Sequence, residues 1–557
     1  MALPLVGLAL PILALAPVLG RGFVLTYDMV FAPTHALLPD SIGTGSTLPR
    51  AVPVDAVVAL ATAVVAGDIL QKLLLFATLA AATIGAGRLV PTDAVAPRLV
   101  AAVTYGWSAY VAERLFIGHW SLLIAYAMLP WVAAAALAMR QEDRGATARL
   151  IVACAPAALT PTGGLLAAAV ALVLVGAPRL PRTALIVAVL NLPWIVPSAL
   201  HPGGGLSDPF GITLFSARAE NWGGTTVSVL GLGGIWNGDV APVSRGNPLL
   251  PVFTVAMVAV ALFGLRILAA RWGAASAVGL TVLGAAGVLF AVAATLPFGA
   301  DVLEWATRTI PGAGLLRDAQ KWAAWWALPF AVGVALGVER LAAYLGGRRG
   351  VALLSAAALF PAVLLPDLAF AGWGRLSSVD YPPDWEKVAT ILREDSRPGD
   401  VLTLPLSTFR RFDWNGGRTQ LDPAPRFLPR TTVLDDTLIV GGVPIPGEDK
   451  RMAAVRAELD KGGSPGAHGF GWVLVEHGTP GPIPRDALAQ LEPVHTGPWL
   501  TLYRVPGQIA AAPPGAPWVP VLVADIAACG LVIAGLLWWA LLTGKLRRRG
   551  TRARREE

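Results

Sequence analysis

Long apolar runs recur along almost the whole chain and are separated by short clusters of basic residues. A helix that crosses the hydrocarbon core of a bilayer needs about 20 apolar residues, and fewer where the protein thins the membrane. We predict twelve spans, at residues 2–20, 70–87, 97–117, 121–139, 149–161, 164–178, 183–199, 249–269, 274–296, 321–343, 350–372 and 517–542. The chain is therefore predicted to be a polytopic α-helical membrane protein.

The composition agrees with this fold class. Charged residues make up 14% of the 557 residues, hydrophobic residues make up 55%, and the mean hydropathy is +0.62. A soluble chain carries about 25% charged residues, so a soluble enzyme, a disordered chain and a fibrous protein are ruled out. The net charge of +7 comes from basic clusters between apolar runs, which the positive-inside rule explains. We therefore expect a lipid bilayer, and no nucleic acid, as a partner.

Neither cysteine nor any soluble-enzyme motif suggests a cofactor. Cys154 and Cys529 both lie inside apolar runs, so a disulfide framework and a cysteine metal site are not expected. The sequence lacks a Walker A motif, G-x-S-x-G, H-E-x-x-H and a paired C-x-x-C. We predict no metal ligands, and nothing in the sequence indicates a divalent cation or another cofactor.

The basic clusters predict the orientation of the chain. If the C-terminal tail is cytoplasmic, the other basic clusters also fall on the cytoplasmic side, provided that residues 53–67 form a helix that does not cross the membrane. Three segments, 20–69, 200–248 and 373–516, are then on the outer face. We expect a multi-pass protein of the plasma membrane whose active site and soluble domain face outside.

Residues 373–516 differ from the rest of the chain, because they hold about 32 of its 79 charged residues. Helical and strand-like runs alternate here, at 383–395, 401–404, 450–461, 471–475 and 502–505. This alternation predicts a small extracytoplasmic α/β domain. It would follow a transmembrane catalytic domain at 1–372 and precede a final span with a basic cytoplasmic tail at 517–557.

A single acidic residue stands out in the first outer loop. Asp28 follows the first span closely and has apolar residues on both sides. A carboxylate at an apolar interface can have a raised pKa and can act as a general base. The alternative is a solvated aspartate that caps a helix.

Two cations precede the tenth apolar run. Arg317 and Lys321 are four residues apart, so in a helix they share one face. Positive charges beside the positive end of a helix do not favour stability, whereas together they suit a phosphate. We predict that they bind the phosphate of a donor.

Further polar residues near the outer face are candidate substrate ligands. Glu113 and Arg114 end the third run and could equally form an interfacial ion pair, and His119 could belong to an aromatic belt. The 200–248 loop combines tryptophan rings with polar groups, as sugar sites do. Its candidates, with one from the α/β domain, are Arg218, Glu220, Trp236, Asn237 and Trp414. For Trp414, an ordinary exposed loop is the alternative.

Four short motifs resemble the GT-C class of integral-membrane glycosyltransferases. They are Tyr27-Asp28-Met29, Gly118-His119-Trp120, Trp236-Asn237 and residues 317–322. They are similar to actinobacterial members, above all to the envelope arabinofuranosyltransferases. The resemblance implies that a sugar passes from a polyprenyl-phosphate donor to an envelope glycan or glycolipid, with Asp28 as the base. Many members have a second acidic residue beside the base, where this chain has Tyr27 and Met29, so metal dependence is left open.

Three hypotheses about function follow. The first is an inverting, polyprenyl-phosphate-dependent glycosyltransferase. The second is a transporter or flippase for a lipid-linked glycan, which would need charged residues deep in the bundle. The third is a non-catalytic envelope-assembly protein, which would leave Asp28, Arg317 and Lys321 without a role. The first accounts for most of the polar residues.

Overall fold

Eight helices in the described part of the chain are long and apolar enough to cross a membrane. The computed structural model describes residues 2–202, 207–440 and 442–556, with side chains described as far as residue 542. The eight helices are Gly67–Leu89, Trp120–Arg140, Ala177–Leu200, Leu250–Trp272, Ala274–Thr295, Ala319–Leu345, Gly347–Leu364 and Trp518–Leu542. Shorter apolar helices are Ala2–Val18, Ala146–Ala157 and Pro161–Val175. The chain is a multi-pass membrane protein.

The prediction of twelve spans is not confirmed, and 97–117 does not form one continuous helix. Two helices, Val95–Gly106 and Ala109–Phe116, break at Trp107 and Ser108. The Ser108 hydroxyl caps the second helix by accepting a hydrogen bond from the backbone N–H of Val111. Apolar composition does not reveal this break, because the residues on both sides of it are buried in the protein core.

The short apolar segments 149–161, 164–178 and 53–67 also form helices. Residues 149–161 and 164–178 give two helices that are joined at Thr160, whose hydroxyl accepts a hydrogen bond from Gly163 at 3.2 Å. Residues 53–67 contain the helix Val54–Thr62. Its nine residues reach only about 13 Å at 1.5 Å per residue, which is too short to span a bilayer. The predicted basic tail falls on residues 543–557, whose side chains lie outside the described part.

Residues 378–504, here called the sheet region, form a mixed α/β unit. Its five-stranded sheet has the spatial order Glu492–Thr496, Leu500–Arg504, Phe470–Glu476, Asp400–Leu404 and Thr432–Val433. Phe470–Glu476 and Asp400–Leu404 are parallel to each other, and Leu500–Arg504 is antiparallel to Phe470–Glu476. The strands and helices therefore lie close to the positions that the sequence predicts.

Two cores lie on opposite faces of this sheet. Val401 and Trp472 pack with the helix Asp384–Glu394 on one face, and their strand neighbours Leu402 and Val473 pack with the helix Lys450–Leu459 on the other. Successive side chains of a strand point to opposite faces. Strands that are apolar at consecutive positions are therefore covered by a helix on each side.

Short elements complete the fold. Three two-stranded pairs are Phe23–Val24 with Ser378–Val379, Phe409–Arg410 with Gln420–Leu421, and Leu438–Val440 with Val443–Ile445. The remaining short α-helices of the described residues are Gly211–Leu214, Gly224–Leu230, Gly299–Thr309, Phe370–Trp373, Ala424–Phe427 and Arg485–Leu488. The first of the strand pairs joins the first loop to the start of the sheet region.

The sheet region packs directly on the first loop. The Tyr27 backbone donates a hydrogen bond to the Thr419 carbonyl at 2.6 Å and accepts one from the Leu421 N–H at 2.7 Å. The Asn415 amide donates to the Leu25 carbonyl at 3.1 Å. Tyr27 has a φ of 38°, a backbone conformation that costs free energy and persists only where the surroundings hold it. This loop is therefore fixed from the side of the sheet region.

Candidate active site

A cavity of about 760 Å³ lies between one end of the helix bundle and the sheet region. The bundle side brings together six of the residues that the sequence singled out: Asp28, His119, Trp236, Asn237, Arg317 and Lys321. The sheet region contributes Thr408, Phe409, Leu421, Arg426, Asp436 and Glu448. Residues that are several hundred positions apart in the chain therefore share one site.

Three helices begin at the wall of this cavity. Trp120 starts one, Pro161 starts the second, and Lys321 lies in the first turn of the third. The N-terminal end of a helix carries partial positive charge and unpaired N–H groups, and it attracts anions. The start of the third of these helices therefore favours an anion beside Lys321.

The loop around Asp28 is tightly fixed. The Asp28 N–H donates to the Ile117 carbonyl at 3.2 Å, and the Met29 N–H donates to the Thr26 carbonyl at 2.8 Å. Gly118 has a φ of +80°, and a Cβ there would lie 2.9 Å from the Asp28 nitrogen and closer still to the backbone of Met29 and Thr26. Only a glycine allows this approach.

The Asp28 side chain faces the cavity, while its neighbours face the core. The apolar residues around it, Leu25, Met29, Val30 and Phe31, are at most 1% exposed. The carboxylate itself is 37% exposed and reaches the His119 Nε2 at 2.7 Å. The apolar neighbours hold the loop in place, and the carboxylate is open to a molecule in the cavity.

A continuous chain of polar contacts leads from Asp28 into the protein. His119 Nδ1 lies 2.8 Å from an Arg114 guanidinium nitrogen. Arg114 then forms a bidentate pair with Asp318, at 2.5 and 3.0 Å, and also contacts Gln320. Burial alone would raise the Asp318 pKa, but the Arg114 guanidinium lowers it to about 2. Asp318 is therefore ionised throughout the physiological range.

Arg114 does not pair with its neighbour Glu113. The alternative of a simple interfacial ion pair between these two residues is therefore wrong. The Arg114 side chain is 0% exposed, and among the described residues its carboxylate partner is Asp318. Glu113 points elsewhere: its carboxylate accepts from the Ile235 N–H and from the Gln320 amide, both at 3.2 Å. Neighbours in a helix diverge by about 100°, so each finds a different partner.

The two predicted phosphate ligands have different surroundings. Arg317 lies on the cavity wall with its guanidinium 3.3 Å from the Glu448 carboxylate. Lys321 is buried to 9% exposure, and no hydrogen-bond partner of its ammonium group is found in the described part of the chain. A buried ammonium without a bonded partner is costly. Such a group suits a site that is completed by an anionic ligand.

Arg218, Glu220 and Glu113 support the cavity wall and do not line it. Arg218 donates to the Ile235 carbonyl at 3.1 Å, and Glu220 pairs with the buried Arg245 at 2.8 Å. With the Glu113 contact to Ile235, these bonds fix the turn that presents Trp236 and Asn237 to the cavity. The Trp236 ring also packs edge-on against Phe215, with centroids 4.7 Å apart.

Trp414 does not lie on the cavity wall either. Its ring stacks on Phe412, with centroids 5.0 Å apart, and contacts Tyr381 at 5.4 Å. Its indole nitrogen is buried, and the residue packs against both the bundle core and the sheet-region core. This position suits a packing role at the junction of the two units.

Several residues of the site have no strong sequence signal. Asp318 and Gln320 lie inside the basic segment 317–322. The one sequence feature that could have indicated Asp318 is its position as a carboxylate between two cations. Asp436 and Glu448, which meet Arg50 at 2.5 and 3.3 Å, come from a distant, ordinary-looking loop. Among the residues that the structure describes, no group of three or more His, Cys, Asp or Glu could hold a metal ion.

The fold has a counterpart among solved structures. The chain is similar to the cryo-EM structure of the arabinofuranosyltransferase AftD from Mycobacteria, with a TM-score of 0.51 and 17% sequence identity over 91% of this chain. The match covers 41% of the AftD chain, so this chain spans about two fifths of that protein. No protein-family model and no curated protein sequence matches this chain. The likeness supports a GT-C-like membrane fold.

Proposed function

We propose that this protein is an inverting glycosyltransferase that moves a sugar from a polyprenyl-phosphate donor to an envelope glycan or glycolipid on the outer face of the plasma membrane. One observation carries the proposal: a carboxylate, Asp28, and two cations, Arg317 and Lys321, line one cavity at the end of the bundle. The GT-C-like fold supports it. A base and a phosphate site in one cavity are what sugar transfer from a phosphate carrier requires.

Asp28 is the base of the proposed reaction. Its carboxylate takes the proton of the acceptor hydroxyl, and the hydroxyl oxygen forms a bond to the anomeric carbon of the donor sugar. The bond from that carbon to the phosphate oxygen breaks, and its electron pair stays on the phosphate. Attack from the side opposite the phosphate inverts the configuration at the anomeric carbon.

Arg317 and Lys321 stabilise the phosphate that leaves. Negative charge on this group grows as the bond to the sugar breaks, and charge-assisted hydrogen bonds strengthen with it. Lys321 has no competing partner among the described residues, while Arg317 exchanges Glu448 for the phosphate. Trp236 and Asn237, on the same wall, supply a ring face and an amide for the donor sugar.

The surroundings of the site suit a lipid-linked donor. The short helix Gly299–Thr309 precedes the Arg317 segment. Trp305 in this helix is 60% exposed, and Phe298, directly before it, is 80% exposed. A prenyl chain can stay in lipid along this surface while its phosphate enters the cavity. Because the structurally similar AftD is an arabinofuranosyltransferase, a pentofuranosyl donor is the first to test. The sheet region, which lines the other part of the cavity, is the proposed acceptor side.

The decisive experiment uses the purified protein in lipid nanodiscs with a panel of polyprenyl-phosphate sugars and acceptor glycans. We expect release of polyprenyl phosphate with one donor, and a turnover at least about a hundred-fold lower for Asp28→Asn, the low end of what a positioned base contributes. Asp239→Asn, which alters another carboxylate of the cavity wall, is the matched control and should stay near wild type.

Two outcomes would contradict the proposal. One is near-normal turnover by Asp28→Asn. The other is movement of a lipid-linked glycan across proteoliposomes without release of polyprenyl phosphate from any donor, which would favour the transporter or flippase.

A further inference from the structure

We propose that His119 is a positioning residue, which Arg114 holds in a single neutral tautomer so that its Nε2–H orients the Asp28 carboxylate. This inference rests on the proposed function in one respect: it assumes that Asp28 is the base. The hydrogen-bond pattern that carries it belongs to the structure alone.

The pattern fixes the position of the imidazole proton. A guanidinium has five N–H donors and no acceptor, so the atom that it contacts has to accept. Arg114 contacts His119 Nδ1 at 2.8 Å, and therefore Nδ1 carries the lone pair. A neutral imidazole has one donor and one acceptor. The proton is therefore on Nε2, which lies 2.7 Å from the Asp28 carboxylate and donates to it.

Arg114 cannot turn away from this contact. Its side chain is fully buried, and the carboxylate of Asp318 and the amide of Gln320 hold the other guanidinium nitrogen. The Tyr110 ring lies 5.7 Å below the guanidinium carbon. An arginine in a protein stays protonated, so the donor that faces Nδ1 is permanent. An imidazolium would present a second N–H to this donor and lose the bond.

This geometry favours Asp28 over His119 as the general base. The single lone pair of His119 is engaged by Arg114, so the imidazole has no free site for the proton of an acceptor hydroxyl. Asp28 keeps one oxygen free, because the contact with His119 occupies the other. His119 thereby sets the rotamer of the carboxylate and directs the free oxygen to the cavity. Such supporting bonds are what keep a catalytic group in its productive geometry.

The same contacts connect the base with the donor-phosphate segment. Asp318, which holds Arg114, is adjacent to Arg317 and three residues before Lys321. The charged groups around His119 are Asp28 from the first loop, Arg114 from the helix Ala109–Phe116, and Asp318 with Lys321 behind it. Arg114 thus contacts both His119, beside the proposed base, and Asp318 of the donor-phosphate segment.

The first test measures the tautomer and needs no activity. Histidine labelled with ¹⁵N in the full-length protein in nanodiscs gives six residues to observe, and the His119 signals are found by difference from His119→Gln. We expect a protonated Nε2 and an unprotonated Nδ1 at neutral pH. A protonated Nδ1 would overturn the assignment, whether or not a donor has been found.

The second test compares His119→Gln with His119→Ala. A glutamine amide can place an N–H where Nε2–H stands, so this variant should keep turnover within about ten-fold of wild type. His119→Ala removes a hydrogen bond to a charged group and should lower kcat about ten- to a hundred-fold, with the KM for donor little changed.

The results separate the two proposals. Equal loss of activity in both variants, or a loss in His119→Ala that appears in the KM for donor and not in kcat, would contradict the positioning role even in an active enzyme. No turnover by the wild-type protein on any donor, together with the expected tautomer, would count against the glycosyltransferase and leave the assignment of His119 standing.

Discussion

The guanidinium of Arg317 lies 3.3 Å from the carboxylate of Glu448, and this contact joins a predicted phosphate ligand of the bundle to the sheet region. Glu448 also lies 3.3 Å from Arg50, which pairs with Asp436 at 2.5 Å. Two carboxylates of the sheet region thus pair with Arg50 and Arg317 at the cavity wall. In the proposed reaction a donor phosphate displaces this carboxylate from Arg317, so the contact opposes donor binding.

Glu448→Gln should therefore bind the donor more tightly. An ion pair that is partly open to solvent is worth up to about 1 kcal/mol, which corresponds to roughly a two- to five-fold gain in affinity. Binding of polyprenyl phosphate to the protein in nanodiscs measures the effect. Glu492→Gln is the matched control, since Glu492 pairs with Arg504 on the outer strands of the sheet. An unchanged or weaker affinity in Glu448→Gln would contradict the competition.

Lys321→Ala should weaken donor binding about ten- to a hundred-fold. The variant removes a charge-assisted hydrogen bond to the donor phosphate that is worth roughly 1.5–3 kcal/mol. Within the described residues the Lys321 ammonium has no hydrogen bond of its own that the variant would also remove. Acceptor affinity should change little. Lys387→Ala, at an exposed lysine of the sheet region, controls for the loss of one positive charge. Normal binding of a lipid-phosphate sugar by Lys321→Ala would count decisively against the phosphate site.

Gly118→Ala should lower activity although the residue at position 118 does not itself contact the substrate. A Cβ at this position meets the backbone of Asp28 and Met29, and the φ of +80° disfavours alanine. Displacement of a catalytic group by about 1 Å can cost about a hundred-fold in rate. Turnover of the purified variant measures this loss. Gly246→Ala, where a Cβ has no neighbour within 4 Å, should be close to wild type.

Asp318→Asn should destabilise the protein at neutral pH. The pKa of Asp318 is lowered to about 2 in the folded protein. Its ionised form therefore contributes stability above the ordinary carboxyl pKa of about 4, and this contribution is lost as the pH falls toward 2. The variant leaves the buried Arg114 without its carboxylate, which costs roughly 3–5 kcal/mol. A large fall in Tm at pH 7 is expected, whereas Asp208→Asn should change it little.

His35 should make the protein less stable in mild acid. Burial, with the positive charge of Arg426, lowers the His35 pKa to about 3, and both ring nitrogens are buried without a hydrogen-bond partner. An unfolded histidine binds a proton near pH 6.5, so stability is full above that pH and falls by about 1.4 kcal/mol per unit below it. His35→Phe should have a smaller drop in Tm between pH 7.5 and 5.5 than wild type. His477→Phe, at a histidine bonded to Thr501, serves as the control.

The sequence was most informative where the information is local. Apolar run length identifies a helix wherever lipid or the core surrounds it on all sides, which is why the long runs correspond to helices. The alternating periodicity of residues 383–505 predicted helices and strands that lie close to those of the sheet region. The run at 97–117 was misleading, because a buried helix break at Trp107 and Ser108 is as apolar as a continuous helix.

Some residues of the candidate site could be predicted from the sequence, and their partners could not. Asp28, His119, Arg317 and Lys321 could be singled out because each is a polar residue at the end of an apolar run, where polarity needs a reason. Their partners could not be. Arg114 meets Asp318 across 204 residues of sequence, and Glu448 reaches Arg317 from another unit of the fold.

By itself, therefore, the sequence determined that this is a multi-pass helical protein with a charged α/β unit and a set of polar residues at the ends of its helices. Only the tertiary structure decided that Asp28 and Lys321 line the same cavity, that Arg114 contacts His119 and not Glu113, and that Trp414 packs between the bundle and the sheet region. The reason is physical. Hydrophobicity and periodicity act between neighbours along the chain, whereas hydrogen bonds and ion pairs depend on distances of about 3 Å that are set when remote segments pack together.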